Sequence, residues 1–175
     1  MLFFRVKIEN HNHLKKREQF IFVSNHFSYM DIPVLGLIPF DLVFIGKRSL
    51  AKVPLFGYMF RSLHIAVDRH SMKSRVESVF KARKALDEGA SVAFFPEGGI
   101  SSERPPTMSK FKDGAFKLAL DKQIPIIPIT LSYNHLILPD DGKFLLRYKP
   151  IKVIIHEPIL VEGCGPKEVK ELKKQ

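Results

Sequence analysis

The sequence predicts an α/β domain with a largely parallel or mixed central sheet flanked by helices. Short apolar runs typical of buried strands recur along the chain, and helical patterns separate them. Polar or glycine-containing turns bound both kinds of element. A chain of 175 residues has room for one hydrophobic core, so we expect residues 1–175 to form a single domain.

The strands are predicted from two kinds of pattern. Near the N-terminus, Phe4, Val6 and Ile8 alternate with charged residues, and this period of two is typical of a half-buried strand. Short apolar runs predict buried strands at 20–24, 42–45, 64–67, 91–95 and 126–131. Two later strands are predicted at 144–148 and 152–156.

The helices are predicted from apolar periodicity and capping residues. The clearest helix begins near Ser71, a typical N-cap, and ends before Gly89, a typical C-terminal glycine. Its apolar residues are Val76, Val79, Phe80 and Leu86. A second helix is predicted over 113–122, and a short helix over 166–175 begins with a proline.

Composition narrows the classes of function without choosing among them. The formal charge of +10 indicates an anionic partner such as a nucleic acid, a membrane surface or a phosphorylated substrate. The Lys and Arg residues are scattered and no nucleic-acid-binding motif is present, so we expect no nucleic-acid partner, although a basic nucleic-acid-binding protein is the alternative from a different class. The lone Cys164 excludes an intrachain disulfide. No apolar run reaches the roughly 18 residues of a membrane-spanning helix.

The first motif that carries chemistry follows the second predicted strand. His26 and Asp31 are five residues apart, so on one regular helix their side chains would diverge by about 140°. Pro33 is tolerated only in the first turn of a helix, which places the helix start near Tyr29 or Met30. His26 is then left in a loop that can fold back onto Asp31. Such a pair can act as a general base on a substrate hydroxyl, because the carboxylate fixes the imidazole tautomer.

A structural alternative exists for the same residues. Ser28 and Asp31 also match the Ser-x-x-acid pattern of a capping box, which only stabilises a helix start. His26 would then be an ordinary loop residue. The spacing does not choose between these two interpretations.

The second motif occupies residues 94–101, directly after another predicted strand. Its paired glycines, Gly98 and Gly99, allow a ligand to approach the backbone closely, and their N–H groups can hold an anion. Glu97, at the strand end, could bind a hydroxyl or orient the loop. A structural turn has the same pattern, so this motif is weak on its own.

Together and in this order, the motifs resemble those of the glycerolipid acyltransferase family. The most similar group is the bacterial-type 1-acyl-sn-glycerol-3-phosphate acyltransferases, also called lysophosphatidic acid acyltransferases. The resemblance covers roughly residues 20–161. The matching blocks are Asn25 to Asp31, Gly46 to Leu50 with Pro54 and Gly57, Ile65 to Arg69, Phe95 to Gly98, Phe111 to Phe116, and Ile124 to Pro128.

The resemblance implies a step of phospholipid biosynthesis. A fatty acyl group would pass from acyl-CoA or an acyl carrier protein to the free hydroxyl of lysophosphatidate, giving phosphatidate. His26 and Asp31 would form the catalytic dyad, and Lys47 and Arg69 would bind the acceptor's phosphate. The substrate-binding residues expected in all are Lys47, Arg69, Glu97, Gly98, Gly99 and Lys112. No cofactor or metal ion is implied, since the acyl donor is a co-substrate.

One departure from the family pattern bears on the acceptor. The family often continues Glu-Gly-Thr-Arg-Ser, whereas this chain has Gly99-Ile100-Ser101 in place of Thr-Arg-Ser. Isoleucine cannot bind a phosphate as arginine does. Another cation among Lys47, Arg69, Arg104 and Lys112 would compensate, or the acceptor would be another lysolipid or an amino-lipid. A non-catalytic lipid-binding relative is the remaining alternative.

The family usually carries an N-terminal membrane-associated helix, for which this chain has little room before its first block. We therefore expect a protein at the cytoplasmic face of a membrane, either peripheral on an anionic surface or anchored by a segment absent from this chain. The tract 10–13, Asn-His-Asn-His, is more typical of a surface loop than of a metal site.

Overall fold

The computed structural model describes residues 5–10, 14, 18–47, 58, 64–68, 70–100, 105–141, 143 and 145–175. These residues form a seven-stranded mixed sheet flanked by helices, which confirms the predicted α/β class. The strands are β1 (Val6–Asn10), β2 (Ile21–Ser24), β3 (Leu42–Lys47), β4 (Ile65–Val67), β5 (Ser91–Phe94), β6 (Ile126–Ser132) and β7 (Ile151–Ile155). The helices are α1 (Asp31–Leu35), α2 (Met72–Asp87), α3 (Gly114–Lys122), α4 (Asn134–Ile137) and α5 (Val169–Leu172), the last preceded by a 3₁₀ turn at Pro166–Glu168.

The sheet has the strand order β1-β7-β6-β2-β5-β3-β4. Neighbouring strands are parallel except β6 and β7, which are antiparallel. Because β5, β2 and β6 are parallel neighbours, the segments that follow them leave the sheet at one edge. These segments begin at Phe95, Asn25 and Tyr133. Such an edge is where open α/β sheets bind their ligands.

Helices cover both faces of the central strands. Phe22 of β2 packs on one face in a cluster that includes Val34 of α1. Ile21 and Val23 point to the other face, where they pack with residues of α2 and α3 such as Leu86. Each fully buried aliphatic side chain contributes about 1.5–3 kcal/mol, so these strands firmly anchor the segments at their ends.

Helix α2 begins and ends close to the predicted positions but turns a different face inward. Ser71 is its N-cap, and its side chain accepts a hydrogen bond from the Ser74 N–H at 3.2 Å. Val76 and Phe80, which belong to the predicted apolar pattern, are 63% and 69% exposed. The residues buried against the sheet are Ser78, Ala82 and Leu86. Small side chains at the first two positions allow the helix backbone to approach the strands closely.

The prediction of a strand at 144–148 is wrong, because the described residues 145–148 have no regular structure. Both edges of β7, the next strand in the chain, are already paired with β1 and β6. Leu145, Leu146 and Tyr148 are exposed instead.

Within the described ranges, no helix combines the length and apolar character needed to cross a membrane.

Candidate active site

The site centres on His26, in the segment that follows β2. Helix α1 starts at Asp31, with Met30 as N-cap and Pro33 in the first turn, as the sequence predicts. The chain between β2 and α1 folds back so that His26 Nδ1 lies 2.9 Å from Asp31 Oδ2. The Asp31 side chain is completely buried, and 7% of the His26 side chain is exposed.

The carboxylate of Asp31 is compensated by four hydrogen-bond donors. Oδ2 accepts bonds from the Phe27 N–H at 2.8 Å and the Ser28 N–H at 2.9 Å, in addition to His26 Nδ1. Oδ1 accepts a bond from Asn134 Nδ2 at 2.9 Å. A buried charge is tolerated only when it is paired and hydrogen-bonded in this way.

The capping alternative and the His–Asp pair coexist. Asp31 accepts the Ser28 N–H, as the acid of a capping box does, and the Ser28 hydroxyl accepts the Met30 N–H at 3.0 Å. The same carboxylate oxygen also contacts His26. The Asp31 side chain therefore both stabilises the start of α1 and orients the imidazole.

The ring of His26 is held in one tautomer and one plane. Because Asp31 accepts at Nδ1, the neutral imidazole carries its proton there and its lone pair on Nε2. Phe95, the first residue after β5, stacks on the imidazole with ring centroids 4.0 Å apart and planes 19° apart. No group of the described residues is hydrogen-bonded to Nε2. This nitrogen can accept a proton from a substrate.

Glu97 ties three segments of the site together. Its Oε1 accepts the His26 N–H at 2.9 Å, and its Oε2 accepts the N–H and the hydroxyl of Ser109 at 2.8 and 2.9 Å. Both carboxylate oxygens are thus occupied within the protein, and the residue is 4% exposed. This arrangement favours orientation of the loop, one of the two roles considered for Glu97, over binding of a substrate hydroxyl.

Gly98 and Lys112 lie against each other beside this loop. Gly98 has a φ of +80°, a conformation that glycine adopts without strain. A Cβ added to Gly98 would lie 2.2 Å from Lys112 Nζ, so the missing side chain leaves room for the ammonium group. Gly99 is half-buried and follows in the same turn. The positive charge of Lys112 is therefore placed at the glycine turn.

The roles of two residues at the site were not predicted from the sequence. Asn134 is 1% exposed and lies 103 residues from Asp31 in the chain. Asn25 pairs with Leu131 of β6, donating to its carbonyl at 3.1 Å and accepting its N–H at 2.8 Å. Each is a polar residue directly following the end of a buried strand or close to it, which is the signal that could have singled them out.

An apolar groove of about 690 Å³ adjoins the dyad on the side of β6. Asn25 and Phe27, the chain neighbours of His26, line it. Its apolar walls include Phe111, Phe116, Ile129 and Leu131. A smaller cavity of about 250 Å³ lies on the opposite side and includes Phe95 in its wall.

Two of the predicted substrate-binding groups cannot be placed. Arg69 and the side chain of Lys47 lie outside the described residues, as do Arg104 and the histidines of the tract 10–13. Lys47 is the last residue of β3, at the same edge of the sheet as the site. Among the described residues, no group of three or more His, Cys, Asp or Glu side chains is placed to hold a metal ion.

The comparison with protein families gives a match over most of the chain. A family model described as Acyltransferase matches residues 5–132. The chain belongs to the acyltransferase family. The matched residues contain the dyad, the Glu97 loop and the strands that support them.

Acyltransferase relatives match nearly the whole of this chain. The chloroplastic 1-acyl-sn-glycerol-3-phosphate acyltransferase LPAT1 of Arabidopsis thaliana is 31% identical over 159 residues, which cover 90% of this chain. An uncharacterised acyltransferase of Schizosaccharomyces pombe is 36% identical over 176 residues and 98% of this chain. This acyltransferase chain spans 44% and 62% of the lengths of those two relatives.

A solved acyltransferase structure shares the fold. The crystal structure of the 1-acyl-sn-glycerophosphate (LPA) acyltransferase PlsC from Thermotoga maritima has a TM-score of 0.78 and 26% sequence identity to this chain. The match covers 99% of this chain and 69% of that one. The family membership predicted from the ordered motifs is confirmed by these findings.

Proposed function

We propose that this protein is an O-acyltransferase that converts lysophosphatidate to phosphatidate, with residues 1–175 acting as one catalytic domain. The observation that carries the proposal is the His26–Asp31 contact of 2.9 Å at the edge of a sheet where ligands bind. The relatives named 1-acyl-sn-glycerol-3-phosphate acyltransferases support the choice of acceptor. The donor is an acyl thioester, carried by CoA or by an acyl carrier protein.

In the proposed reaction, His26 Nε2 accepts the proton of the acceptor's hydroxyl as the hydroxyl oxygen attacks the thioester carbonyl carbon. The tetrahedral intermediate then expels the thiolate, which takes the proton from the imidazolium and leaves as a free thiol. An ester bond forms, the thioester bond breaks, and His26 returns to its neutral state. General-base catalysis of this kind contributes about 10²- to 10⁴-fold in rate.

Asp31 supports His26 in two ways in this mechanism. Its Oδ2 holds the proton on Nδ1, which leaves Nε2 as the basic nitrogen. Its negative charge stabilises the imidazolium that forms when the hydroxyl is deprotonated. The four donors around the carboxylate keep it in place during both steps.

The apolar groove beside Phe27 suits the acyl chain of a substrate. Its aromatic and aliphatic walls remove methylene groups from water, and each buried CH₂ contributes about 0.8 kcal/mol. Asn25 and Phe27, on either side of His26 in the chain, line the groove, and the reacting carbonyl has to lie close to His26. We assign this groove to the acyl chain.

We assign the acceptor's phosphate to the basic side chains Lys47, Arg69 and Lys112, of which Lys112 lies against Gly98 in the glycine turn. An anionic membrane surface is the proposed source of the lipid acceptor. Support comes from the net charge of +10 and from a basic groove of about 1010 Å³ between residues 108–113 and the C-terminal helical segment. Its lysines are Lys110, Lys117, Lys167, Lys170, Lys173 and Lys174.

A panel of acceptors tests the proposal and its main competitor. The purified protein is incubated with a long-chain acyl-CoA and, separately, with lysophosphatidate, lysophosphatidylcholine, lysophosphatidylethanolamine or a monoacylglycerol. We expect phosphatidate to be the main product detected by mass spectrometry. Because Ile100 replaces the family's arginine, acylation of another lysolipid is the specific alternative, and a preference for either zwitterionic acceptor would establish it. No product with any acceptor, from acyl-CoA or an acyl carrier protein thioester, would refute the enzymatic function.

A further inference from the structure

Five large apolar side chains are exposed close to the dyad, and we call them the edge patch. Between 40% and 65% of each residue is exposed to solvent. The residues are Tyr133, Leu136, Leu145, Leu146 and Tyr148. Single exposed apolar residues are common on soluble proteins, whereas a contiguous group of them marks an interaction surface. The placement of the five residues therefore decides what the edge patch can do.

The sheet topology brings both parts of the edge patch to one edge. Strand β6 ends at Ser132, and α4 with its N-cap Tyr133 follows directly. Strand β7 is antiparallel to β6, with Lys152 opposite Ser132. The segment 145–150, which precedes β7, therefore lies at the edge of the sheet where β6 ends.

Hydrogen bonds fix these segments beside each other and beside the dyad. The Arg147 N–H donates to the Ile137 carbonyl at 2.8 Å, which holds the segment 145–150 next to α4. On the other side, the Ser28 hydroxyl donates to the Leu138 carbonyl at 2.7 Å. Tyr133 also lines the groove that we assign to the acyl chain. A molecule that covers the edge patch therefore lies next to both the groove and the segment that carries the dyad.

Basic side chains are interspersed with the apolar ones. Lys143, Arg147 and Lys149 are exposed, and no acidic residue lies between them in the sequence. The acidic residues that precede them, Asp140 and Asp141, accept hydrogen bonds within the protein. Leucine and tyrosine side chains combined with Lys and Arg are typical of segments that lie in the headgroup region of a bilayer.

We propose that the edge patch docks on a lipid bilayer that contains anionic lipids. The inference rests on the proposed function, since a lysolipid with a long acyl chain partitions into bilayers, and it deepens that function by naming the face that meets the membrane. The leucines enter the boundary between headgroups and acyl chains, the tyrosines lie among the headgroups, and the cations pair with lipid phosphates. Docking in this way brings the groove and His26 next to the lipids that supply the acceptor.

Charge favours a bilayer over a second copy of the chain as the occupant. In a symmetric dimer, the same surface of both copies would form the interface. The cations Lys143, Arg147 and Lys149 of one copy would then lie close to those of the other, and such a juxtaposition of like charges opposes association. An anionic lipid surface instead attracts all three side chains.

The first test compares Leu146→Glu with Leu160→Glu, a matched substitution of another exposed leucine. Leu160 is 70% exposed and follows Ile159, which pairs with Ile126 at the start of β6, so it lies toward the opposite edge of the sheet. The full chain is sedimented with vesicles made of equal amounts of phosphatidylcholine and phosphatidylglycerol. We expect the partition coefficient to fall about tenfold or more for Leu146→Glu, because an apolar side chain no longer enters the bilayer, and to change far less for Leu160→Glu.

The second test concerns the charges of the segment. Arg147→Gln combined with Lys149→Gln is compared with Lys81→Gln combined with Lys84→Gln, an equal loss of charge on α2, which packs against β3, β4 and β5. Each cation at an anionic surface strengthens binding about fivefold, so the first variant should bind the mixed vesicles about 10- to 30-fold more weakly. The difference between the two variants should vanish on vesicles of phosphatidylcholine alone.

Several outcomes would overturn the inference. The first is a failure of the unmodified protein to bind either kind of vesicle, and the second is an equal effect of Leu146→Glu and Leu160→Glu. Analytical ultracentrifugation without lipid supplies a third, because a dimer that Leu146→Glu dissociates would assign the edge patch to a second copy. Vesicle binding needs no acyl donor, so binding that depends on the edge patch supports the inference even if no acyl transfer is seen, in which case the proposed function alone fails.

Discussion

Replacing Asp31 with asparagine isolates the charge of the dyad from its geometry. In the native site, Oδ2 accepts from His26 Nδ1 and from two backbone N–H groups, and Oδ1 accepts from Asn134 Nδ2. The backbone donors hold an oxygen toward His26, so the amide oxygen of the variant takes the place of Oδ2. The amide NH₂ then faces Asn134, whose own oxygen has no hydrogen-bond partner among the described residues. Rotation of the Asn134 amide brings this oxygen to the new NH₂ group as its acceptor.

The expected loss of rate follows from the lost charge. An imidazolium and a carboxylate about 4 Å apart attract each other by about 4 kcal/mol at an effective dielectric constant of 20. Every 1.36 kcal/mol corresponds to about tenfold in rate, so the full charge is worth about 10³-fold. The amide dipole retains part of this attraction. We therefore expect kcat of Asp31→Asn to fall about 10²- to 10³-fold, with a loss of only about 1–3 kcal/mol in the free energy of unfolding.

The assay follows release of free thiol from acyl-CoA, with thermal unfolding measured on the same samples. Asp31→Ala is the control, because it leaves all four donors, namely His26, Asn134 and two backbone N–H groups, without their acceptor at about 1–3 kcal/mol each, and it should be far less stable than Asp31→Asn. A stable Asp31→Asn variant with kcat within threefold of the unmodified protein would refute the reasoning, since the charge would then play no part in the reaction.

Two further predictions concern the hydrogen bond between Asn134 and Asp31 and the ion pairs of Glu9 in β1. Asn134→Leu leaves Oδ1 of the buried Asp31 without its described donor, so the free energy of unfolding should fall by about 1–3 kcal/mol and kcat should fall with it; a variant with unchanged melting temperature and kcat would contradict this. Hydrogen bonds from Lys7 and then Lys152 lower the pKa of Glu9 from 4.5 to about 2. A carboxyl group with a depressed folded pKa stabilises the fold above its unfolded pKa and loses that contribution as the pH falls from about 4.5 toward 2. An NMR titration should give a higher pKa for Glu9 in Lys152→Ala than in the unmodified protein. An unchanged pKa would contradict a contact between Lys152 and Glu9.

The local features of the sequence predicted the strands and the dyad. Runs of apolar residues gave β2, β3, β5 and β6 to within two residues, because burial on both faces of a sheet requires continuous apolar segments. The contact between His26 and Asp31 was predictable since both lie in one short segment and Pro33 limits where α1 can begin. Both features depend only on residues that are close together in the sequence.

Contacts across the sheet edge were not predictable in the same way. Asn134 meets Asp31 because β6 lies next to β2 in the sheet. The residue pattern of a strand does not indicate which strands will be its neighbours. Ser109 meets Glu97 from twelve positions further along the chain, and no local pattern indicates that contact. The segment 145–148 shows the converse, since strand-forming residues adopt no regular structure when no sheet edge is offered to them.

The most direct test of the mechanism is the rate of thiol release by His26→Ala. Purified unmodified protein and the variant are compared with saturating acyl-CoA and lysophosphatidate, and circular dichroism verifies that both are folded. Removing the proposed general base should lower the rate by about 10²- to 10⁴-fold. A folded His26→Ala variant that releases thiol and forms phosphatidate at the rate of the unmodified protein would contradict the assignment of His26 as the base.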